Sequence, residues 1–303
     1  MKKSNLILST LLTLGVALAG CSNDENLPAA DDRVALQVSS GIQTRAFDNQ
    51  WEAGDKIGIF MLDNGLSTVV DGYGNVPYLV ESAGTGGKAF SPASEVIYFP
   101  TNGDKRDFIA YYPYADKMKD NGTYDIDLTE QNPQKNIDFM VAGKVTDKSR
   151  TDANVSFQFT HKLAKIVMDI EAGDGLSIDD LKNMKITLTG QPTKGTFNVL
   201  TGDEVAAATG DKTGIDLLVN TSGTEAEGIV FPSENYAGMN FVFTTTSIGS
   251  YKWALSQSTK ATKFEAGKKY EYTITVHRSG LSVTSSITDW LPGNEDGETG
   301  SAE

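Results

Sequence analysis

Apolar and polar residues alternate in short runs through most of this chain, and Gly, Asn and Asp separate the runs. Val34, Leu36 and Val38 are spaced by Ala35 and Gln37, the period-two pattern of a strand with one buried face. Tyr270, Tyr272, Ile274 and Val276 alternate with Lys269, Glu271, Thr273 and Thr275 in the clearest strand of the sequence. Lys56 to Leu62 is apolar enough to be buried on both faces and closes at Asp63-Asn64-Gly65. Further strand-like runs are expected at 76–80, 96–99, 108–112, 124–128, 137–142, 155–159, 163–170, 186–188, 196–200, 215–219, 229–231, 241–245 and 251–255. Turn chemistry such as Gly72-Tyr73-Gly74-Asn75 and Asn102-Gly103-Asp104 punctuates them. Many short strands with such punctuation predict an all-β fold built as a sandwich. The only helix candidate is short, 177–184, with Ser177 placed to cap and Asp180 three residues on. Leu281, Val283 and Ile287 make a last, weaker strand, interrupted by Ser285, and Trp290 ends the fold.

The first residues have a different pattern. Lys2 and Lys3 precede an apolar run from Leu6 to Leu18, and small residues follow, so 1–20 is predicted to be a secretory signal, too short to span a bilayer. Leu18-Ala19-Gly20-Cys21 resembles the lipobox of bacterial lipoproteins, which implies lipidation of Cys21, the only Cys in the chain. Residues 21–32 are expected to form a lipidated tether, and their acidic start resembles the signal that sends lipoproteins of Bacteroidota to the outer face of the outer membrane. The 283 residues that remain from 303 suggest two domains, divided at the polar stretch 143–153: an N-terminal sandwich over 33–153 and a C-terminal one over 154–290. The Gly-rich acidic end, 291–303, is expected to be a disordered tail.

Charge and composition narrow the chemistry. The chain carries 26 basic and 40 acidic residues, a net charge of −14, and losing Lys2 and Lys3 with the signal takes it to −16. Such a surface repels nucleic acid and anionic headgroups, so no nucleic-acid partner is expected. With one Cys and two His, His161 and His277, neither a thiol nucleophile nor a zinc site is expected. His161 is read as structural. No metal, cofactor or catalytic residue is assigned, and the chain is read as a non-enzyme. The acidic pair Asp125 and Asp127 lies on one strand face, which a solvated face explains better than a glycosidase site. Tyr73, Tyr78, Tyr236 and Trp253 are the rings that could stack on a glycan if exposed, although core packing is the commoner use of each.

Six phrases occur in the order found in fimbrillin family lipoproteins of Bacteroidales, which the chain therefore resembles over nearly its whole mature length. They are Trp51-Glu52-Ala53-Gly54-Asp55-Lys56-Ile57-Gly58-Ile59-Phe60, Phe108-Ile109-Ala110-Tyr111-Tyr112-Pro113-Tyr114, Asp138-Phe139-Met140-Val141-Ala142, Phe157-Gln158-Phe159-Thr160-His161-Lys162-Leu163-Ala164-Lys165-Ile166, Phe264-Glu265-Ala266-Gly267-Lys268-Lys269-Tyr270 and Ile287-Thr288-Asp289-Trp290. The resemblance implies two tandem β-sandwich domains of transthyretin-like topology and a subunit of type V pili. It also implies a precursor anchored to the outer membrane through lipid on Cys21 and cut after an Arg to free its first strand. The partners would be other fimbrial subunits joined by strand exchange, with a host or bacterial surface ligand as a further class. The matching positions are Arg45 and Ala46 for the cut and Val34, Leu36 and Val38 for the displaced strand. The alternative is a surface lipoprotein that binds a glycan or host protein and never polymerises. The short, Ser-broken strand before the acidic tail departs from what a strand-donating end needs, and leaves shaft, tip and anchor positions open.

Overall fold

The computed structural model describes residues 32–290 apart from 43–49, 85–86, 119–120, 203 and 210–211, and among the described residues there are strands and short 3-10 turns but no α-helix. The fold is all-β. Nine strands come first: β1 (Gln37–Ile42), β2 (Lys56–Asp63), β3 (Val76–Val80), β4 (Lys88–Pro92), β5 (Arg106–Tyr112), β6 (Thr123–Asp127), β7 (Met140–Ala142), β8 (Val145–Lys148) and β9 (Asn154–His161). Seven of them pair in the order β2-β3-β4-β1-β9-β7-β5, and β5 pairs back onto β2 from Gly58↔Tyr111 to Asp63↔Arg106. The sheet therefore closes into a barrel-like ring. β7 and β8 share one side of β5, at its two ends.

Period-two alternation explains what the ring encloses. Leu36, Val38, Ile57, Ile59, Met61, Val76, Tyr78, Phe90, Phe108, Ala110, Val155, Phe157 and Phe159 form one buried cluster. Trp51 belongs to it and meets Phe90, Tyr112 and Phe159 edge-on at 5.1, 5.3 and 5.4 Å between ring centres. The opposite faces of β2, β5 and β7 are apolar too: Phe60, Leu62, Ile109, Tyr111 and Val141 join a second cluster. That double burial is why Lys56 to Leu62 reads as a continuous apolar run. The β2–β5 closure also needs Gly58, since a Cβ there would lie 2.2 Å from the Tyr111 ring.

Eleven strands follow: β10 (Ala164–Ala172), β11 (Lys185–Thr189), β12 (Lys194–Asn198), β13 (Ala206–Ala207), β14 (Ile215–Asp216), β15 (Leu218–Val219), β16 (Glu225–Val230), β17 (Asn240–Thr245), β18 (Gly249–Ala254), β19 (Lys268–His277) and β20 (Gly280–Asp289). They make a five-stranded sheet, β15-β16-β10-β19-β20, and a four-stranded sheet, β14-β11-β17-β18. Both bury side chains in the second cluster, and Tyr272 meets Phe241 and Trp253 across it at 5.8 and 5.3 Å. The two sheets thus share one core.

Several expectations change. The first half is a closed ring rather than two facing sheets, because β2 finds partners on both sides. The polar stretch 143–153 carries β8 and leads into β9, which is paired within the first sheet, so the strand starting at Asn154 is held with the N-terminal strands. β6 leaves its neighbours in sequence and pairs with β12 and, through it, β13. The expected helix at 177–184 is a single 3-10 turn, Ile178–Leu181, with the Ser177 amide donating to the Asp180 carboxylate at 2.9 Å. Eight residues before a strand are too few to propagate a helix. The run at 96–99 makes only one bridge, Tyr98 to Ala35. β20 is not short: all ten residues register with β19, from Gly280↔His277 to Asp289↔Lys268, and Ser285 is accommodated opposite Tyr272.

Candidate functional site: the seat of the first strand

β1 is an interior stave of the ring. It runs antiparallel to β4, with Val38↔Phe90, Ser39↔Ala89 and Ser40↔Lys88, and parallel to β9, from Gln37↔Asn154 to Ile42↔Phe159. A parallel neighbour cannot be supplied by a hairpin, so both partners come from far along the chain. The residues just ahead of β1 are also tied down. The Leu36 amide donates to the Ile97 carbonyl at 2.9 Å, the Phe99 amide to the Val34 carbonyl at 2.9 Å, and the Gln37 amide to the Ala153 carbonyl at 3.0 Å. The Arg33 guanidinium sits 4.2 Å above the centre of the Tyr98 ring.

The 96–99 segment that receives Val34 and Leu36 is itself positioned by a core ring. The Ile97 amide donates to the Tyr78 hydroxyl at 3.2 Å, and burial holds that phenol above its ordinary pKa. At the other end of the seat, the Tyr112 hydroxyl donates to Asp55 at 3.3 Å beside Trp51, and burial raises the pKa of the Asp55 carboxyl.

Of the three residues expected in the displaced strand, Leu36 and Val38 are buried in the ring cluster and Val34 is half-buried against it. Burying Leu36 and Val38 contributes about 1.5–3 kcal/mol each. Removing β1 would strip these groups from the cluster and leave β4 and β9 with unpaired backbone donors and acceptors along a bare gap. The next inward position, Ser40, does not follow the apolar pattern. Ser40 is 1% exposed and its hydroxyl has no hydrogen-bond partner among the described residues, an arrangement that costs about 1–3 kcal/mol. Sequence reasoning passed over Ser40, although the sequence Leu36, Val38, Ser40 carries the signal. It also missed β4, one of the two walls of the seat. Cys21, Arg45 and Ala46, the expected lipidation and processing residues, lie outside the described residues.

His161 has the structural setting expected of it. Its Nδ1 lies 2.6 Å from Asp138 Oδ1, and its ring stacks on Trp290 at 3.8 Å and 7°. Because His161 ends β9 and Trp290 follows β20, this stack ties the ring to the end of the last strand. The four candidate glycan rings are differently placed: Tyr78, Tyr236 and Trp253 are buried, and only Tyr73 is half-exposed. The three buried rings cannot stack on a sugar. Asp125 and Asp127 are exposed on β6, and Asp127 is held by Thr129 and by Lys194 at 3.3 Å, so the solvated-face reading fits. A cavity of about 1320 Å³ opens beside the end of β9, but its walls mix Lys162, Lys212 and Lys263 with Glu204, Glu234 and Glu265 and select no ligand charge.

A family model described as fimbrillin-like matches residues 44–290. A Bacteroides uniformis protein that carries the name fimbrium subunit Fim1C is 44% identical over 310 residues, covering 100% of both chains. A crystal structure of a protein from Bacteroides uniformis described as a cell adhesion protein superposes with a TM-score of 0.77 at 40% identity, covering 86% of this chain and 99% of that one. The tip fimbrial protein Mfa3 of Porphyromonas gingivalis shares the fold, with a TM-score of 0.51 at 14% identity over 85% of this chain and 100% of that one. A family match over 44–290, with a relative aligned over the whole chain, settles the membership: this chain belongs to the fimbrillin-like family.

Proposed function

We propose that this fimbrillin-like chain is made as a lipoprotein precursor, anchored by lipid on Cys21 at the outer face of the outer membrane, and built into a surface fimbrium after a cut between Arg45 and Ala46. The cut releases the segment carrying Val34, Leu36 and Val38, and the vacated gap between β4 and β9 takes a strand from another subunit. The role is structural and adhesive, with no catalysis. The observation that carries this reading is the position of β1: it fills an interior place in a closed sheet, and both partners are remote in sequence. A strand held only by non-local pairing can be replaced by an equivalent strand on another molecule without altering the rest of the ladder. Arg45 lies in sequence between this strand and Trp51, after which the strand pattern of the ring resumes with β2.

With this proposal goes the reading of the chain as two tandem domains of transthyretin-like topology, which the family resemblance implies; the two halves also share core, since Phe60, Leu62, Ile109, Tyr111 and Val141 of the first pack in the cluster of the second. β20 favours an accepting over a donating role for the folded part, since all ten of its residues are engaged with β19. The test is the N terminus and intact mass of the protein recovered from outer membrane and from sheared fibres. A start at Ala46 without lipid is expected in fibres. A start only at acylated Cys21, in every fraction, would overturn the processing step and leave the alternative of a non-polymerising surface lipoprotein.

A further inference from the structure

We propose that position 40 is where the seat selects its occupant: the strand that displaces β1 is one that places an apolar side chain opposite Phe157. This inference rests on the strand-exchange reading above and deepens it by naming the chemistry of the incoming strand. The inward positions whose side chains are described are Leu36, just ahead of β1, and Val38 and Ser40 on it, and the first two match their surroundings. Ser40 does not. It registers with Phe157 on β9, which is fully buried, and its neighbours along the same face include Phe90 and Phe159, both in the ring cluster. Cross-strand partners share a face, so on the β9 side Ser40 stands opposite an aromatic ring, that of Phe157. On β4 the register partner is Lys88, a half-buried side chain with no acceptor for a hydroxyl. The Ser40 hydroxyl is thus enclosed without a partner, while the position would accept a methyl-bearing side chain with the same burial.

The consequence is a built-in difference between occupants. Among its described inward positions the resident segment has two good anchors, Leu36 and Val38, and one poor one, Ser40. An incoming strand with the same two anchors and an apolar third residue makes the same ladder and leaves no polar group unpaired, so it displaces the resident without needing a longer interface. Ser40 is a specificity position in this scheme, acting through what it fails to satisfy.

The experiment uses the mature chain with a site-specific protease sequence placed within 43–49. After cutting, labelled peptides covering 32–44 are offered in the natural form and with Ser40→Ala or Ser40→Val, and binding is read by fluorescence anisotropy. Both substituted peptides are expected to bind more tightly, by about tenfold for the better of them. In parallel, Ser40→Ala in the uncut chain is expected to raise the denaturation midpoint. If peptides exchange but neither substituted form binds more tightly than the natural one, the selection at position 40 is overturned and strand exchange stands. A lowered midpoint for uncut Ser40→Ala likewise overturns it. If no peptide enters the cut chain, the strand-exchange reading fails and takes this inference with it.

Discussion

β1 is six residues long, lies between two ladder neighbours, and meets both only after the chain has travelled to Phe90 and Val155. β20 is ten residues long, has one ladder neighbour, and reaches it directly through Arg278 and Ser279. The shorter strand is the more enclosed: Val38 and Ser40 on it and Leu36 just ahead of it are buried, whereas on β20 only Val283 is. The contrast shows that enclosure and covalent connection are separate variables. β20 stays in place because the turn keeps it near β19, at an effective concentration of about millimolar for a short linker. β1 stays because its seat fits it, and a fitted seat can be filled from outside.

The strongest test removes each strand and returns it as a peptide. Deleting 34–42 takes away two core anchors and both ladders, a loss of the same order as a domain's whole stability, roughly 5–15 kcal/mol. No cooperative thermal transition is expected, and adding the 32–44 peptide is expected to restore one. Deleting 280–290 is expected to abolish folding as well, but micromolar 280–290 peptide should not rescue it. Equal rescue of both deletions would erase the contrast.

Single anchors should differ in the same direction. Leu36→Ala is expected to lower stability by about 2–5 kcal/mol, read from the urea midpoint. Val283→Ala, near the open edge, should cost less, about 1–2 kcal/mol. The tie between ring and last strand gives a smaller effect: Asp138→Asn removes the charged partner of His161 and should cost about 1–3 kcal/mol without changing the fold seen by circular dichroism. Smallest of all, Asp127→Asn on exposed β6 should move the midpoint by no more than about 0.5 kcal/mol and leave fibre assembly unchanged. A large loss of activity of any kind from Asp127→Asn would reopen the carboxylate chemistry set aside above.

Parts of the candidate site were legible and parts were not, for identifiable reasons. Val34, Leu36 and Val38 announce a half-buried strand because alternation is a property of neighbouring residues. β4 gives no such signal: in Lys88-Ala89-Phe90-Ser91-Pro92 only Phe90 is a large apolar residue, and the strand exists because β1 and β3 pair on either side of it. Ser40 looks unremarkable in a polar stretch until the ring places it against Phe157. Position 153 looked like a boundary because its surroundings are polar, yet the ladder continues through β9.

What the sequence by itself determined is the class of the fold, the doubly buried run of β2, the long alternating β19, the aromatic core and the family to which the chain belongs. These depend on periodicity and on phrases of adjacent residues. Tertiary structure alone decided that β5 returns to β2 and closes the ring, that β9 belongs to the ring, that β6 crosses to β12, and that β1 stands between β4 and β9. Period-two patterning says which face of a strand is buried but not which strand lies beside it. Pairing is chosen by the joint fit of all faces to one core, and that is a property of the whole closed sheet.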